Sequence, residues 1–200
     1  MMTEIIQSDE DLMQHYLDGS EEAFEELVSR YEKPILNFAY AYLRNTSASE
    51  DLVQDIFVKL VESRKQYNPE RPFKPWIYQV ARNRIYDELR KKKRWSLKWF
   101  QPASNTDLTR TIESHPGDST TSRDTVNRSE IFKVVQEGIA TLDDRCRDLI
   151  VLRFLHGIST HDVAEILHIP EGTVHSGTHR ALANLESFLT KRGITMEDFA

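Results

Sequence analysis

Wherever apolar residues are dense in this chain they recur at intervals of three and four, and that spacing restricts the fold more than any other feature. In residues 20–43 they are Phe24, Leu27, Val28, Tyr31, Ile35, Phe38 and Tyr42, which fall on one face of a helix. Pro34 lies inside that stretch and predicts a kink or a split. Ser47, Ala48, Ser49 and Glu50 form a Ser-x-x-Glu capping pattern, and behind them Leu52, Val53, Ile56, Phe57, Leu60 and Val61 make a second stripe running to about Arg64. Asn68-Pro69 and Pro72 mark a loop. Pro75 then suits the first turn of a third helix, with Trp76, Ile77, Val80, Ala81, Ile85 and Leu89 turned inward and Trp76 expected to be buried. No alternating apolar run is long enough to make a sheet, so the fold is expected to be all-α.

The pattern lapses between Gln101 and Ser129, where Ser, Thr, Asn, Asp, Pro and Gly crowd the chain and only Leu108, Ile112 and Val126 are large aliphatics. Such a stretch reads as a flexible linker. Helical spacing resumes with Ile131, Val134, Val135 and Ile139, then with Leu149, Ile150, Leu152 and Phe154, and stops at Gly157 as a C-terminal cap. Ser159 or Thr160 caps a short helix bearing Val163, Ala164, Ile166 and Leu167. A turn at Ile169-Pro170 leads to a longer helix from about Glu171 to Leu189, the dimensions of a helix-turn-helix. The expected architecture is two small helical domains, 1–100 and 130–200, joined by the linker 101–129, the second domain carrying the helix-turn-helix.

Charge separates these segments. The net charge of -6 argues against nucleic-acid binding only until it is mapped. Residues 1–70 hold six Lys/Arg against fifteen Asp/Glu, a net of -9, whereas residues 71–98 hold ten against two, a net of +8. Arg82, Arg84, Arg90, Lys91, Lys92, Lys93, Arg94 and Lys98 supply that positive stretch and can neutralise phosphates. Phe73, Trp76, Tyr78, Tyr86, Trp95, Trp99 and Phe100 interleave with them, and rings not needed for the core can stack on exposed bases. The single Cys146 permits no internal disulfide and reads as a small, half-buried helix residue. No apolar run is long enough for a membrane span, which predicts a cytoplasmic protein without membrane insertion. No phosphate loop or nucleophile constellation suggests an enzyme, and no cofactor is called for.

Three blocks resemble the extracytoplasmic-function sigma factors of bacterial RNA polymerase. Asp51-Leu52-Val53-Gln54-Asp55-Ile56-Phe57 is similar to the family's region-two signature, which implies binding to core polymerase. Trp76 to Asn83, followed by Asp87 and Arg90, is similar to its minus-ten-element reader. Gly157 to Leu167 and Ile169 to Val174, with Ser176, His179, Arg180 and Ala181, resembles its region-four helix-turn-helix. The resemblance implies a sigma factor that directs RNA polymerase to promoter DNA and is held in check by an anti-sigma factor. Polymerase contact then falls to Asp51, Gln54, Asp55 and Val58, although by periodicity alone that stripe reads equally as a solvated face. Minus-ten DNA contact falls to Trp76, Arg82, Asn83, Asp87, Arg90 and Lys91, and upstream DNA contact to Thr173, His175, Ser176, His179 and Arg180.

The recognition helix departs from the family. His175, Gly177 and Leu182 stand where members usually carry Lys, Arg and a further basic residue, so upstream binding should be weak, leaving promoter affinity either to the first domain or to protonation of His175 and His179. Those two histidines have i,i+4 spacing, but Ser176 replaces the glutamate of a metallohydrolase helix, and no metal site is expected. Two rival readings remain at this stage: a helix-turn-helix regulator that works without polymerase, and a sigma mimic that sequesters an anti-sigma factor.

Overall fold

A computed structural model describes residues 7–99 and 123–194, with side chains over 7–92 and 130–194. All regular structure among the described residues is helical: α1 (Asp9–Leu17), α2 (Glu21–Leu43), α3 (Thr46–Ser63), α4 (Phe73–Trp99), α5 (Arg123–Thr141), α6 (Asp144–Ile150), α7 (Thr160–Leu167) and α8 (Glu171–Lys191). A single 3-10 turn, Arg64–Gln66, follows α3, and a π-helical turn, Val151–Leu155, extends α6.

The first half is built from α2, α3 and α4, with α1 laid across them. Leu27, Ile35, Phe38, Ile56, Leu60, Ile77 and Ile85, which the three-and-four spacing turned inward, are fully buried at its centre, and so is Phe73, one of the rings that interleave with the basic residues. Helix α1 has no counterpart among the sequence expectations. Its signal was there: Ser8 accepts a hydrogen bond from the Asp11 N–H at 3.0 Å and Asp11 answers toward the Ser8 N–H, a capping box ahead of the buried Leu12, Met13 and Tyr16. Glu10 of α1 also caps another helix. Its Oε1 accepts from the Phe73 N–H at 2.8 Å, which satisfies a free donor at the start of α4 and sets that start two residues before Pro75.

Two local expectations are corrected. Pro34 does not split its helix, since α2 runs unbroken from Glu21 to Leu43. The cap of α3 is Asn45, not Ser47: Asn45 Oδ1 accepts from the Ala48 N–H at 2.8 Å, and Ser47 lies within the first helical turn. The helix α5 begins at Arg123, inside the stretch read from composition as linker; residues 123–129 contain neither Gly nor Pro to prevent it. The remainder of that stretch, together with Phe100, lies outside the described residues.

In the second half, α6, the π-helical turn and α7 enclose the inner face of α8 around Leu149, Leu152, Ile158, Val163 and Val174. Cys146 is fully buried here rather than half-buried, because it lies on the inward face of α6 beside Leu149. The π-helical turn alters the register of the strip that follows α6: Val151 and Leu152 are buried, whereas Phe154 and Leu155 are exposed. Ser159 is the cap of α7, accepting from the Asp162 N–H at 3.0 Å, and Gly157 takes the left-handed backbone (φ +58°) that ends the preceding segment. Buried residues of the two halves form one continuous cluster, with α4 packed on α7 and α2 on α5.

Candidate nucleic-acid and polymerase interface

Asp51, Gln54, Asp55 and Val58 are all exposed along one outer stripe of α3, and Val58 keeps 58% of its surface in water. Asp55 is not free: Arg84 of α4 reaches it at 2.5 Å, an exposed ion pair of little energetic weight that nonetheless ties the two helices together.

Between α3 and α4 runs an open groove of about 570 Å³. One wall is Asp55, Val58, Lys59 and Glu62; the other is Trp76, Val80, Asn83, Arg84 and Asp87, which recur along α4 at helical spacing. Asp55 and Val58 of the residues read as polymerase-contacting therefore face Trp76, Asn83 and Asp87 of those read as minus-ten-reading across one depression, while Asp51, Gln54, Arg90 and Lys91 lie outside its lining. Trp76 is half-buried rather than buried, since its ring lies against Tyr67 (centroids 5.1 Å apart) and Phe73 while still lining the groove. Asn83 is exposed, Asp87 is ion-paired with Arg90, and Lys91 lies 3.7 Å from Glu88. The side chains of Lys93, Arg94, Trp95, Lys98 and Trp99 lie outside the described residues.

Arg82 leaves this set. It is one position round α4 from Asn83 and turns to the second half of the chain, where Nε and Nη2 donate to Asp148 Oδ2 of α6 at 2.7 and 2.6 Å. The opposite oxygen, Oδ1, accepts from the Tyr42 hydroxyl at 2.6 Å and the Tyr86 hydroxyl at 2.9 Å. The Arg82 guanidinium also lies over the Tyr86 ring, 4.7 Å from its centroid. Burial pushes the Asp148 carboxyl up from its ordinary range, opposed by Arg82 and the two hydroxyls; burial likewise raises Tyr42 and Tyr86. For Arg82, burial is the largest single influence and acts to lower the value, but Asp148 together with Tyr86 and Tyr42 outweighs it and the net direction is up. Asp148 and Tyr42 were absent from the sequence-based set of functional residues. The legible signal was an acid flanked by Cys146, Leu149 and Ile150 on the inward face of a helix.

Further contacts join the halves. The Tyr78 hydroxyl lies 3.0 Å from His156 Nδ1, the His156 ring sits edge-on to Phe38 at 5.2 Å, and Gln79 Nε2 is 2.7 Å from His168 Nε2. Burial lowers His156 to about 4, with the Lys74 charge a lesser cause, so the ring is neutral at cellular pH.

On α8, Thr173 is half-buried, and His175, Ser176, His179 and Arg180 are exposed. Val174, Gly177 and Ala181 form the inner face instead. A Cβ on Gly177 would lie 2.6 Å from Leu149 Cδ1, so the position at which the family usually carries an arginine is internal in this chain. His161 Nδ1 lies 2.8 Å from Glu171 Oε1 across the helix-turn-helix turn. No cluster of three or more metal-ligating side chains occurs among the described residues.

The pattern described as Sigma-70 region 2 matches residues 27–95, spanning α2 to α4, and that described as Sigma-70, region 4 matches residues 138–186, spanning α6 to most of α8. The ECF RNA polymerase sigma factor SigW of Bacillus subtilis is 31% identical over 162 residues, 81% of this chain and 86% of its own. The chain belongs to the extracytoplasmic-function sigma factors. As one of these it is a transcription-initiation factor that directs RNA polymerase to promoters. The ECF RNA polymerase sigma-E factor of Haemophilus influenzae is 29% identical over 185 residues, covering 90% of this sigma factor and 94% of the relative. In fold it is similar to CnrH, solved with the cytosolic domain of CnrY (TM-score 0.69, 23% identity, 92% of this chain and 99% of that one). It is also similar to RpoE, solved with the anti-sigma factor NepR from Bartonella quintana (TM-score 0.65, 22% identity, 84% and 96%).

Proposed function

We propose that this sigma factor docks on core RNA polymerase through the Asp51, Gln54, Asp55 and Val58 stripe of α3 and holds the melted minus-ten strand along the neighbouring face of α4. The observation that carries this reading is the shared groove: Trp76, Asn83 and Asp87 line one wall while Asp55 and Val58 line the other. A half-buried indole offers a face for stacking, and the Asn83 amide can donate to and accept from a base edge. Capture of an unstacked base in a preformed recess offsets the few kcal/mol that extrusion costs, which opens a duplex without nucleotide hydrolysis. Arg90 and Lys91 hold the strand's backbone, and Thr173, His175, Ser176, His179 and Arg180 of α8 touch the upstream element.

The protein works in the cytoplasm as an initiation factor and not as an enzyme; no described helix is long and apolar enough to cross a membrane. It is held in check by an anti-sigma factor, a reading supported by the fold it shares with the sigma factor RpoE, solved in complex with the anti-sigma factor NepR. The decisive experiment is reconstituted transcription with core polymerase. Promoter-specific transcripts that require the chain, and that fall at least about tenfold when Asp51 and Asp55 become Lys, are expected. Operator binding with no effect of core polymerase would overturn the proposal in favour of a free-standing regulator, and a chain that supports no transcription would mark a decoy.

A further inference from the structure

The buried carboxylate of Asp148 has the surroundings of a bound anion. Four donor contacts from three side chains of the first half converge on its two oxygens: Arg82 Nε and Nη2 on one, the Tyr42 and Tyr86 hydroxyls on the other. Only 1% of the Asp148 side chain is exposed. None of the three donors comes from the half of the chain to which Asp148 belongs. An arginine that closes two N–H groups on one anionic oxygen while hydroxyls hold the other is equally able to grip a phosphate, which offers the same charged oxygens to the same donors. Arg82 also stands next to Asn83 on α4, at the edge of the face that reads the minus-ten strand.

We propose that Tyr42, Arg82 and Tyr86 form a binding site for a backbone phosphate of the minus-ten DNA, and that Asp148 occupies this site as an internal stand-in whenever the two halves are closed on each other. The inference rests on the reading of α4 as the DNA-facing helix. Closed, the chain has its phosphate site filled and the edge of its reading helix covered by α6. Separation of the halves withdraws the carboxylate, and the same three donors then meet DNA. Competition between one aspartate and one phosphate thus links the shape of the chain to its affinity for promoter DNA. The pairing is supported by weaker contacts that also cross between the halves, Tyr78 with His156 and Gln79 with His168.

The test measures binding of the full free chain to a fluorescent single-stranded oligonucleotide carrying a minus-ten element, over a range of salt concentrations. Asp148→Asn keeps the shape of the side chain but turns an amide N–H toward the guanidinium or removes its charge partner, so closure weakens; affinity should rise roughly tenfold. In that background Arg82→Gln should cancel the gain and lower the salt slope by about one. Tyr42→Phe with Tyr86→Phe should cancel part of it. A second arm does not depend on the Asn variant folding well. In a Cys146→Ser chain, Gln79→Cys and His168→Cys joined by a short cleavable bismaleimide hold the halves together; the joined form should lose binding and regain it when the bridge is cut. Unchanged affinity in both arms would overturn the proposal. If, in addition, Asn83→Ala left oligonucleotide binding untouched, the fault would lie in the reading of α4; if Asn83→Ala abolished binding, that reading would stand and only the aspartate–phosphate exchange would fall.

Discussion

Gly177 shows how much a residue's meaning depends on the face it occupies. Against the family pattern it is a missing arginine, and from sequence it suggested a recognition helix stripped of a DNA contact. It is instead one of three inward positions on α8, with Leu149 directly above it. Gly177→Arg should therefore restore nothing at the promoter and should destabilise the chain by about 1–3 kcal/mol through overpacking, visible as a lowered melting temperature. His175 is the informative substitution. It is exposed at the start of α8, so His175→Lys should leave the melting temperature unchanged, strengthen binding to upstream-element DNA and steepen its salt dependence by about one, as titration at several ionic strengths would show. Trp76 teaches the complementary lesson: its inward-leaning position on α4 was legible, but the groove that leaves it half exposed depends on where α3 stops, which local periodicity does not encode.

At the scale of elements, the inward faces of α2, α3, α4, α7 and α8 were legible because each is amphipathic over several turns, whereas α1 was missed and the helix ends were legible only in part, at Gly157 and Ser159 but not at the start of α3. The start of α3 was expected at a Ser47 cap, and the cap is Asn45 two residues earlier. Asn45→Ala should cost about 1 kcal/mol in a denaturant melt, and Ser47→Ala close to nothing. The segment after α6 holds a second element-level prediction. His156 is enclosed by Phe38 of α2 and Tyr78 of α4, feels the charge of Lys74, and stays neutral down to about pH 4 in the folded chain. An unfolded histidine takes up its proton near pH 6.5. Folding thus depresses this group's affinity for protons; its contribution is complete above pH 6.5 and is lost as pH falls toward 4, up to about 3 kcal/mol in all. Asp148, raised by burial, titrates in the opposite sense, so the comparison must be internal: denaturant melts of the wild type and of His156→Gln should converge as pH falls through that window.

Taken whole, the molecule departs from its sequence in the relation between its halves. Composition spoke of two domains and a linker, and charge of a basic helix free to meet DNA. Arg82 instead meets a carboxylate 66 residues further along, a distance across which periodicity carries no information. The two helical halves were readable because each has its own turns, caps and motifs; their shared core was not, because the residues that join them look, helix by helix, like ordinary inward positions.

That shared core sets a thermal signature for capture by a partner. Phe38, Tyr78 and the flank of His156 are sealed from water where the halves touch, with Phe38 and Tyr78 no more than 2% exposed. A partner that parts the halves must wet these rings, and hydrating apolar surface raises heat capacity. Calorimetry of the sigma factor joining core polymerase should therefore give a heat-capacity change less negative than the area buried at the new interface would produce, the shortfall recording the aromatic surface opened on the way in.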